Sequence, residues 1–438
     1  MVSDRQISVI GGGLAGCEAA WQASKRGCKV VLFEMKPERF SPAHHSPDLA
    51  ELVCSNSFRS NSLENASGLL KEEMRHLDSL VMKKADKNKV PAGAALAVDR
   101  RNFSDGITKA IESNPKITAI RKETKEIPES GIAVVATGPL TSDSFSAYLK
   151  ELIGEDFLYF HDAISPIVEA DSIDLKRTFK ASRYNKGNAD YINCPLSQSE
   201  YYRFIEELLG SDKVPLRDFE ILIPYEGCMP IEVMAERGAE TLAHGPMKPV
   251  GLIDPSTGRQ PYAVVQLRQE NKEATLYNLV GFQTRLKWPE QKRVFSMIPG
   301  LEGAEFARFG SLHQNTYIHS PLLLLESLQL KKLPRVFFAG QITGVEGYME
   351  SAAMGLVAGI QASLYVEGRD PVALPPTTVM GGLLSYITGT ISPDFQPMNA
   401  NFGILSPLES KVSKKLKKKL LSERALKDIR EWKRKITA

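Results

Sequence analysis

The chain has 438 residues and a formal net charge of +3, with 55 lysines and arginines against 52 aspartates and glutamates. Hydrophobic residues make up 42% and charged residues 24%, a balance that fits a globular protein and excludes a disordered or collagenous one. The length suggests two or three domains, or one domain interrupted by another, and no apolar run of roughly 20 residues suggests a membrane span.

The N-terminus enters a strand at once, Ile7 to Ile10, with no signal-peptide pattern, so the expected location is cytoplasmic. Gly11, Gly13 and Gly16 then supply G-x-G-x-x-G, with Gly12, Leu14 and Ala15 between them. A small-residue helix, Leu14 to Arg26, and a second strand, Lys29 to Phe33, follow, and Glu34 closes that strand. A dinucleotide site needs each part. Gly11 allows a tight turn, Gly13 lets the backbone approach a pyrophosphate, and Gly16 lets helix and strand pack closely. The helix N-terminus offers free N–H groups and a positive dipole end to phosphate. Glu34 takes ribose hydroxyls and disfavours a ribose 2′-phosphate, which makes NADP a poor occupant of this pocket.

Phe40 to Pro47 reads as a loop, and Leu69 to Met82 as a helical stretch. Asp99-Arg100-Arg101 follows the small-residue run Gly93 to Val98 and reads as polar surface or as a functional cluster. Ile132 to Ala136 is a short apolar strand closed by Thr137-Gly138-Pro139, as where a chain passes beneath a flavin dinucleotide. Residues 180–320 change character, with mixed strands, prolines and aromatics, and read as an insertion. Within it lie Gln266 to Asn271, dense in hydrogen-bonding groups, and Arg285-Leu286-Lys287-Trp288-Pro289, two cations beside an indole suited to nucleic acid. Arg335 to Phe338 is a late strand, followed by Ala339-Gly340-Gln341-Ile342-Thr343-Gly344 and a small-residue helix from Ala352 to Leu364. That second strand–turn–helix presents N–H groups to phosphate or a flavin ring, and FAD explains two such ends better than NAD alone. The tail is basic from Ser413 to Lys435, either a solvated helix face or a phosphate-facing patch.

The five cysteines have no framework spacing and read as reduced thiols, and no Cys/His cluster has zinc spacing, so no metal is expected. Cys17 and Cys28 read as packing residues, and Cys194, before a proline in an apparent polar loop, is left unassigned. Cys54 and Cys228 sit in polar or proline-pinned segments, where a thiol is either idle or a nucleophile.

Eight segments taken together resemble one family, the folate- and FAD-dependent tRNA (uracil-5-)-methyltransferases of bacteria. They are G-G-G-L-A-G (11–16), E-L-V-C-S-N-S-F-R-S (51–60), L-L-K-E-E-M-R (69–75), A-L-A-V-D-R (95–100), P-Y-E-G-C-M-P-I-E-V-M-A-E-R-G (224–238), Q-L-R-Q-E-N (266–271), V-G-F-Q-T-R-L-K-W-P-E-Q (280–291) and F-F-A-G-Q-I-T-G-V-E-G-Y (337–348). The related wobble-uridine modification flavoproteins share the A-G-Q-x-x-G element but carry a long helical C-terminal extension. The resemblance implies an α/β fold: a Rossmann-like, glutathione-reductase-like FAD-binding domain interrupted by a smaller α+β insertion. The expected division is 1–180, 181–320 and 321–438, with a basic C-terminal helix. It implies methyl transfer to a T-loop uridine of tRNA from methylenetetrahydrofolate, with NAD(P)H reducing FAD and the reduced flavin relaying both the methylene and the hydride. By that likeness Cys228 is the nucleophile toward uracil C6 and Cys54 a second functional cysteine. Gly340, Gln341 and Gly344 hold the cofactor, Tyr348 lies over the flavin face, and Arg285, Lys287 and the basic tail meet tRNA phosphates. The chain assigns no oligomeric state. Three other readings stay open: a small-molecule NAD(P)H-dependent flavoprotein oxidoreductase, a tRNA wobble-uridine modification flavoprotein, and an RNA-binding flavoprotein without catalysis.

Overall fold

The computed structural model describes residues 5–154, 158–185, 188–215, 229–390, 395–409 and 412–437. Two six-stranded sheets organise it. In the first, the strands run Gln329–Leu330, Leu333–Phe338, Ile132–Val135, Gln6–Ile10, Lys29–Phe33 and Ile117–Ile120. All neighbours are parallel except the first pair. Such strands are covered on both faces, so they read as nearly continuous apolar runs, V-F-F and A-V-V among them. The Rossmann-like pattern expected from the first 34 residues is therefore present, with the N-terminal strand next to Ile132–Val135 and one strand from Leu333–Phe338.

The second sheet is antiparallel, in the order Phe179–Ala181, Tyr191–Leu196, Ala263–Gln269, Leu276–Leu279, Ile167–Glu169 and Phe306–Arg308. It has its own apolar core, including Phe204, Phe282 and Phe295. It takes in Ile167–Glu169 ahead of the 180/181 boundary drawn from the sequence, because a three-residue strand has no periodicity to reveal its partner. A two-stranded ribbon, Leu158–Ile164 against Ser311–Tyr317, carries the chain out of the first sheet's region and back. A third, three-stranded sheet joins Ser57–Ser60, Ala95–Val98 and Lys89–Val90.

What closes the first unit is contact between two helices from opposite ends of the chain. Leu14–Lys25 packs along Tyr348–Val366, and both are rich in alanine and glycine. A Cβ on Gly355 would meet the Ala15 carbonyl oxygen at 2.2 Å, and one on Gly359 the Ala19 oxygen at 2.4 Å. The backbones therefore touch, and no larger side chain fits.

The stretch expected as one helix from Leu69 to Met82 is two, Ala66–His76 and Leu80–Lys87. The break has a physical cause. The buried Glu18 carboxylate accepts hydrogen bonds from the Ser79 hydroxyl and the N–H groups of Leu80 and Val81, which starts a new helix there. Glu73 likewise takes the N–H groups of Val379 (2.7 Å) and Met380 (2.9 Å) at the start of helix Val379–Gly389. The late helix begins at Tyr348 rather than Ala352, after Gly347 at φ 120°. Cys194 is not in a loop: it lies buried in strand Tyr191–Leu196, and Cys17 and Cys28 are buried as expected. Among the described residues no helix is long and apolar enough to cross a membrane.

Gly355→Val is expected to lower stability by about 3 kcal/mol or more in urea melts, since the helices must separate. Gly389→Ala, whose new methyl meets nothing within 4 Å, serves as the control and should be neutral or slightly stabilising.

Candidate functional site

The close helix pair brings the two glycine segments to one open cleft. Gly11 to Ala15, Glu34, Gly340 and Gln341 all line it, although more than 300 residues separate the two groups. The glycines divide their work much as expected. Gly11 turns at φ 104°, and a Cβ on Gly16 would sit 1.8 Å from the Gly11 carbonyl oxygen. A Cβ on Gly13 meets no protein atom within 4 Å. Protein packing does not call for glycine at that point, whereas a ligand lying against the backbone does. Gly13 caps helix Leu14–Lys25 with no side-chain cap and no acid in the first turn, so the helix N–H groups are left to a ligand in the cleft. Both features fit a dinucleotide pyrophosphate.

Glu34 does more than await a ribose. Its Oε2 accepts from the Gly12 N–H at 2.8 Å and its Oε1 from the Lys36 N–H at 2.9 Å, which binds strand end to glycine loop. Each oxygen retains a lone pair for a ribose hydroxyl. At the other end, Gly340 takes φ 81° against Ala15, and the Gln341 amide donates to Glu346 at 2.7 Å. Gly344, at φ 82°, lies against the Phe395 ring rather than in the cleft lining.

A second cleft of about 1160 Å3 adjoins the first and shares Val53, Pro139, Leu140, Gln341 and Tyr348 with it. Cys54 lines this second cleft, half-buried. Its loop is held from several sides. The Cys54 N–H donates to the Tyr348 hydroxyl at 2.6 Å, and the Ser55 N–H reaches the same oxygen at 3.3 Å. Burial, with Cys54 beside it, pushes the Tyr348 phenol upward, so it stays neutral. Its ring stands edge-on to Phe58, with centroids 6.0 Å apart. On the far side the Arg100 guanidinium donates to the carbonyls of Leu52 and Cys54 and pairs with buried Glu270. Arg268 donates to the side chains of Asn56 (3.0 Å) and Ser55 (2.8 Å). The Asn56 amide in turn donates to the carbonyls of Val98 and Gln269, both at 3.0 Å.

Asp99-Arg100-Arg101 and Gln266 to Asn271 had read equally well as polar surface. Arg100, Arg268 and Glu270 are instead a buried network that fixes the Cys54 loop. Arg100 opens helix Arg100–Glu112, and Arg268 and Glu270 lie at the end of strand Ala263–Gln269, elements that meet only in three dimensions, so no spacing in the chain reveals the pairing. Losing one partner of such a pair strands a buried charge at a cost of roughly 3–5 kcal/mol.

Other expected residues lie elsewhere. Lys287 is exposed and pairs with Asp212 at 2.9 Å, and Arg285 reaches the Val214 carbonyl at 3.4 Å; neither lines the clefts. The basic helix Lys414–Thr437 buries Leu421, Ala425, Ile429, Trp432 and Ile436 and exposes Lys417, Lys427, Arg430 and Arg434. Its Ser422 hydroxyl donates to the Leu63 carbonyl, and the helix packs on Ala66–His76, whose Ser67 lines the second cleft. Cys228 lies outside the described residues.

Residues 6–370 match the family described as glucose inhibited division protein A. A methylenetetrahydrofolate–tRNA-(uracil-5-)-methyltransferase of Geobacter sulfurreducens is 60% identical over 97% of this chain and 98% of its own. Proteins of the same name from Acetivibrio thermocellus and Bacillus cereus are 57% and 56% identical, each over 97% of this chain and 98% of their own. Among solved structures, GidA of Aquifex aeolicus is similar in fold, with a TM-score of 0.73 at 17% identity over 98% of this chain and 73% of that one.

Gly13→Ala is expected to hold the ligand-free denaturation midpoint within about 1 kcal/mol of wild type, since nothing meets the new methyl. It should strip flavin absorbance from the purified protein. Lost stability with flavin retained would contradict a ligand-facing role for this glycine.

Proposed function

The chain belongs to the family of methylenetetrahydrofolate–tRNA-(uracil-5-)-methyltransferases, and we propose that it methylates C5 of a T-loop uridine in tRNA with methylenetetrahydrofolate as carbon donor. The observation that carries this reading is the clamped Cys54 loop, which stands where a dinucleotide cleft opens into a second cleft. A flavoprotein that reduced only a small molecule would have no evident need of a thiol braced on both faces. FAD fits the first cleft through Gly11 to Gly16, Glu34, Gly340 and Gln341.

The chemistry sets what the residues must do. Uracil C5 is a weak nucleophile, and a thiolate that adds to C6 makes the C4–C5 unit an enolate. We assign that thiolate to Cys228 from the P-Y-E-G-C-M-P segment. C5 then bonds to the methylene carbon. With Cys228 engaged at C6, Cys54 as its thiolate is the group left to take the C5 proton, and the C5–H electron pair expels tetrahydrofolate and leaves an exocyclic methylene at C5. That methylene is two electrons short of a methyl group; FAD held by the residues of the first cleft and reduced by NAD(P)H would supply them as hydride, after which the C6–S bond breaks and the Cys228 thiolate is released. Tyr348, shared by both clefts, holds Cys54 by its backbone and offers a flat face for a ring. We assign tRNA phosphates to the exposed cations of the C-terminal helix and to Arg285 and Lys287. The target uridine must leave the folded tRNA elbow to reach the cleft.

Wild-type protein given unmodified tRNA, NADPH and methylene-labelled methylenetetrahydrofolate is expected to put label into 5-methyluridine. Cys228→Ala and Cys54→Ala should each abolish it while FAD stays bound. NADPH oxidation with no label in RNA would overturn the reading in favour of a small-molecule flavin reductase. Replacing Lys417, Arg430 and Arg434 with glutamine should raise the KM for tRNA with little change in kcat. The salt slope of tRNA affinity should flatten by roughly 0.7–0.9 per lost contact. Unchanged tRNA affinity would remove the C-terminal helix from the interface.

A further inference from the structure

Asn315 is a buried polar group that the mechanism above leaves unused. It sits in strand Ser311–Tyr317, is 3% exposed and lines the second cleft. Its Nδ2 has no hydrogen-bond partner among the described residues. A buried amide donor left unpaired is costly, and an aliphatic side chain would avoid that cost. Neighbouring groups are satisfied. The Thr316 N–H donates to the Pro139 carbonyl at 3.0 Å, and the Tyr317 hydroxyl to the Phe395 carbonyl at 3.0 Å. Asn315 thus places a buried, unpaired amide donor on a residue of the cleft wall. Arg268, which lines the same cleft, holds Asn56 and Ser55 through Nε and Nη2.

We propose that Asn315 reads the lactam edge, a ring N–H beside a ring C=O, of the ring that enters the second cleft. A carboxamide is complementary to that edge, because Nδ2–H donates to the carbonyl while Oδ1 accepts from the N–H. Uracil presents this edge at N3–H and C4=O, and the pterin of folate presents the same pair. Cytosine presents the reverse, an acceptor at N3 and an amino donor at C4, so the amide in this orientation admits uridine and disfavours cytidine. The proposal rests on the function proposed above and makes Asn315 a specificity residue at the same site.

The test compares wild type with Asn315→Leu and Asn315→Asp, each loaded with FAD. Binding of tetrahydrofolate and of a T-arm RNA hairpin is titrated directly, alongside the KM values for tRNA and methylenetetrahydrofolate. We expect FAD content to be unchanged in both variants, and the Tm of Asn315→Leu to be equal to or above wild type. One of the two ligands should lose tenfold or more in affinity. Loss for the hairpin alone identifies uracil as the ring read, and a hairpin with cytidine at the target should then bind wild type as weakly as the uridine hairpin binds Asn315→Leu. Loss for tetrahydrofolate alone identifies the pterin. Both affinities within threefold of wild type, with a lower Tm, would overturn the proposal and make Asn315 a structural amide. Wild type that transfers no label would sink the methyltransferase reading alone, since the two titrations still decide what Asn315 binds.

Discussion

Backbone contact between helices Leu14–Lys25 and Tyr348–Val366 is the constraint on which the rest of the molecule depends. Gly355 and Gly359 lie against the carbonyls of Ala15 and Ala19 too closely for any side chain. That approach sets the first glycine turn beside the late one. The cleft exists because the two halves of its wall are fixed on helices that cannot slide apart without losing close-packed contact. Buried acids reinforce the arrangement. Glu18 and Glu73 each start a helix other than their own and so tie the helical layer together.

The second cleft depends on polar rather than apolar contacts. The loop 51–60 has little core of its own. Tyr348 holds it from the late helix, Arg100 from the segment after strand Ala95–Val98, and Arg268 from the antiparallel sheet. Three separate elements thus converge on one half-buried thiol. Such a network is costly if incomplete, and its members here are largely satisfied among themselves. Among the described residues, Glu270 Oε2 and the Nδ2 of Asn315 are left unpaired there, and Asn315 lines the second cleft.

The electrostatics follow the same division of labour. The dinucleotide cleft offers a helix dipole and backbone N–H groups, which suit a diffuse diphosphate. The second cleft offers guanidinium and amide groups, which suit heteroatom edges of a flat ring. The C-terminal helix, which exposes Lys417, Lys427, Arg430 and Arg434, packs instead on helix Ala66–His76.

Much of the first cleft was legible in the chain, because its parts are contiguous. A strand, a G-x-G-x-x-G turn, a small-residue helix and a closing acid occupy 34 residues, and each has a local geometric reason. The same holds for the late turn from Ala339 to Gly344, although the start of its helix at Tyr348 depended on the turn at Gly347. The helix break near Asp78 was not legible, because its cause is a carboxylate 60 residues away at Glu18. Nor was the burial of Cys194, since a Cys-Pro pair reads as a loop until its strand pairing with Ala263–Gln269 is known. The sequence by itself determined the dinucleotide turn, the apolar strands and, through motif likeness, the family, since these rest on local backbone geometry or on residue identity. Only the tertiary structure decided that Arg100, Arg268, Glu270 and Tyr348 enclose Cys54 and that Asn315 lacks a partner. Burial and hydrogen-bond satisfaction are properties of groups brought together from distant positions, and no spacing along one chain encodes them.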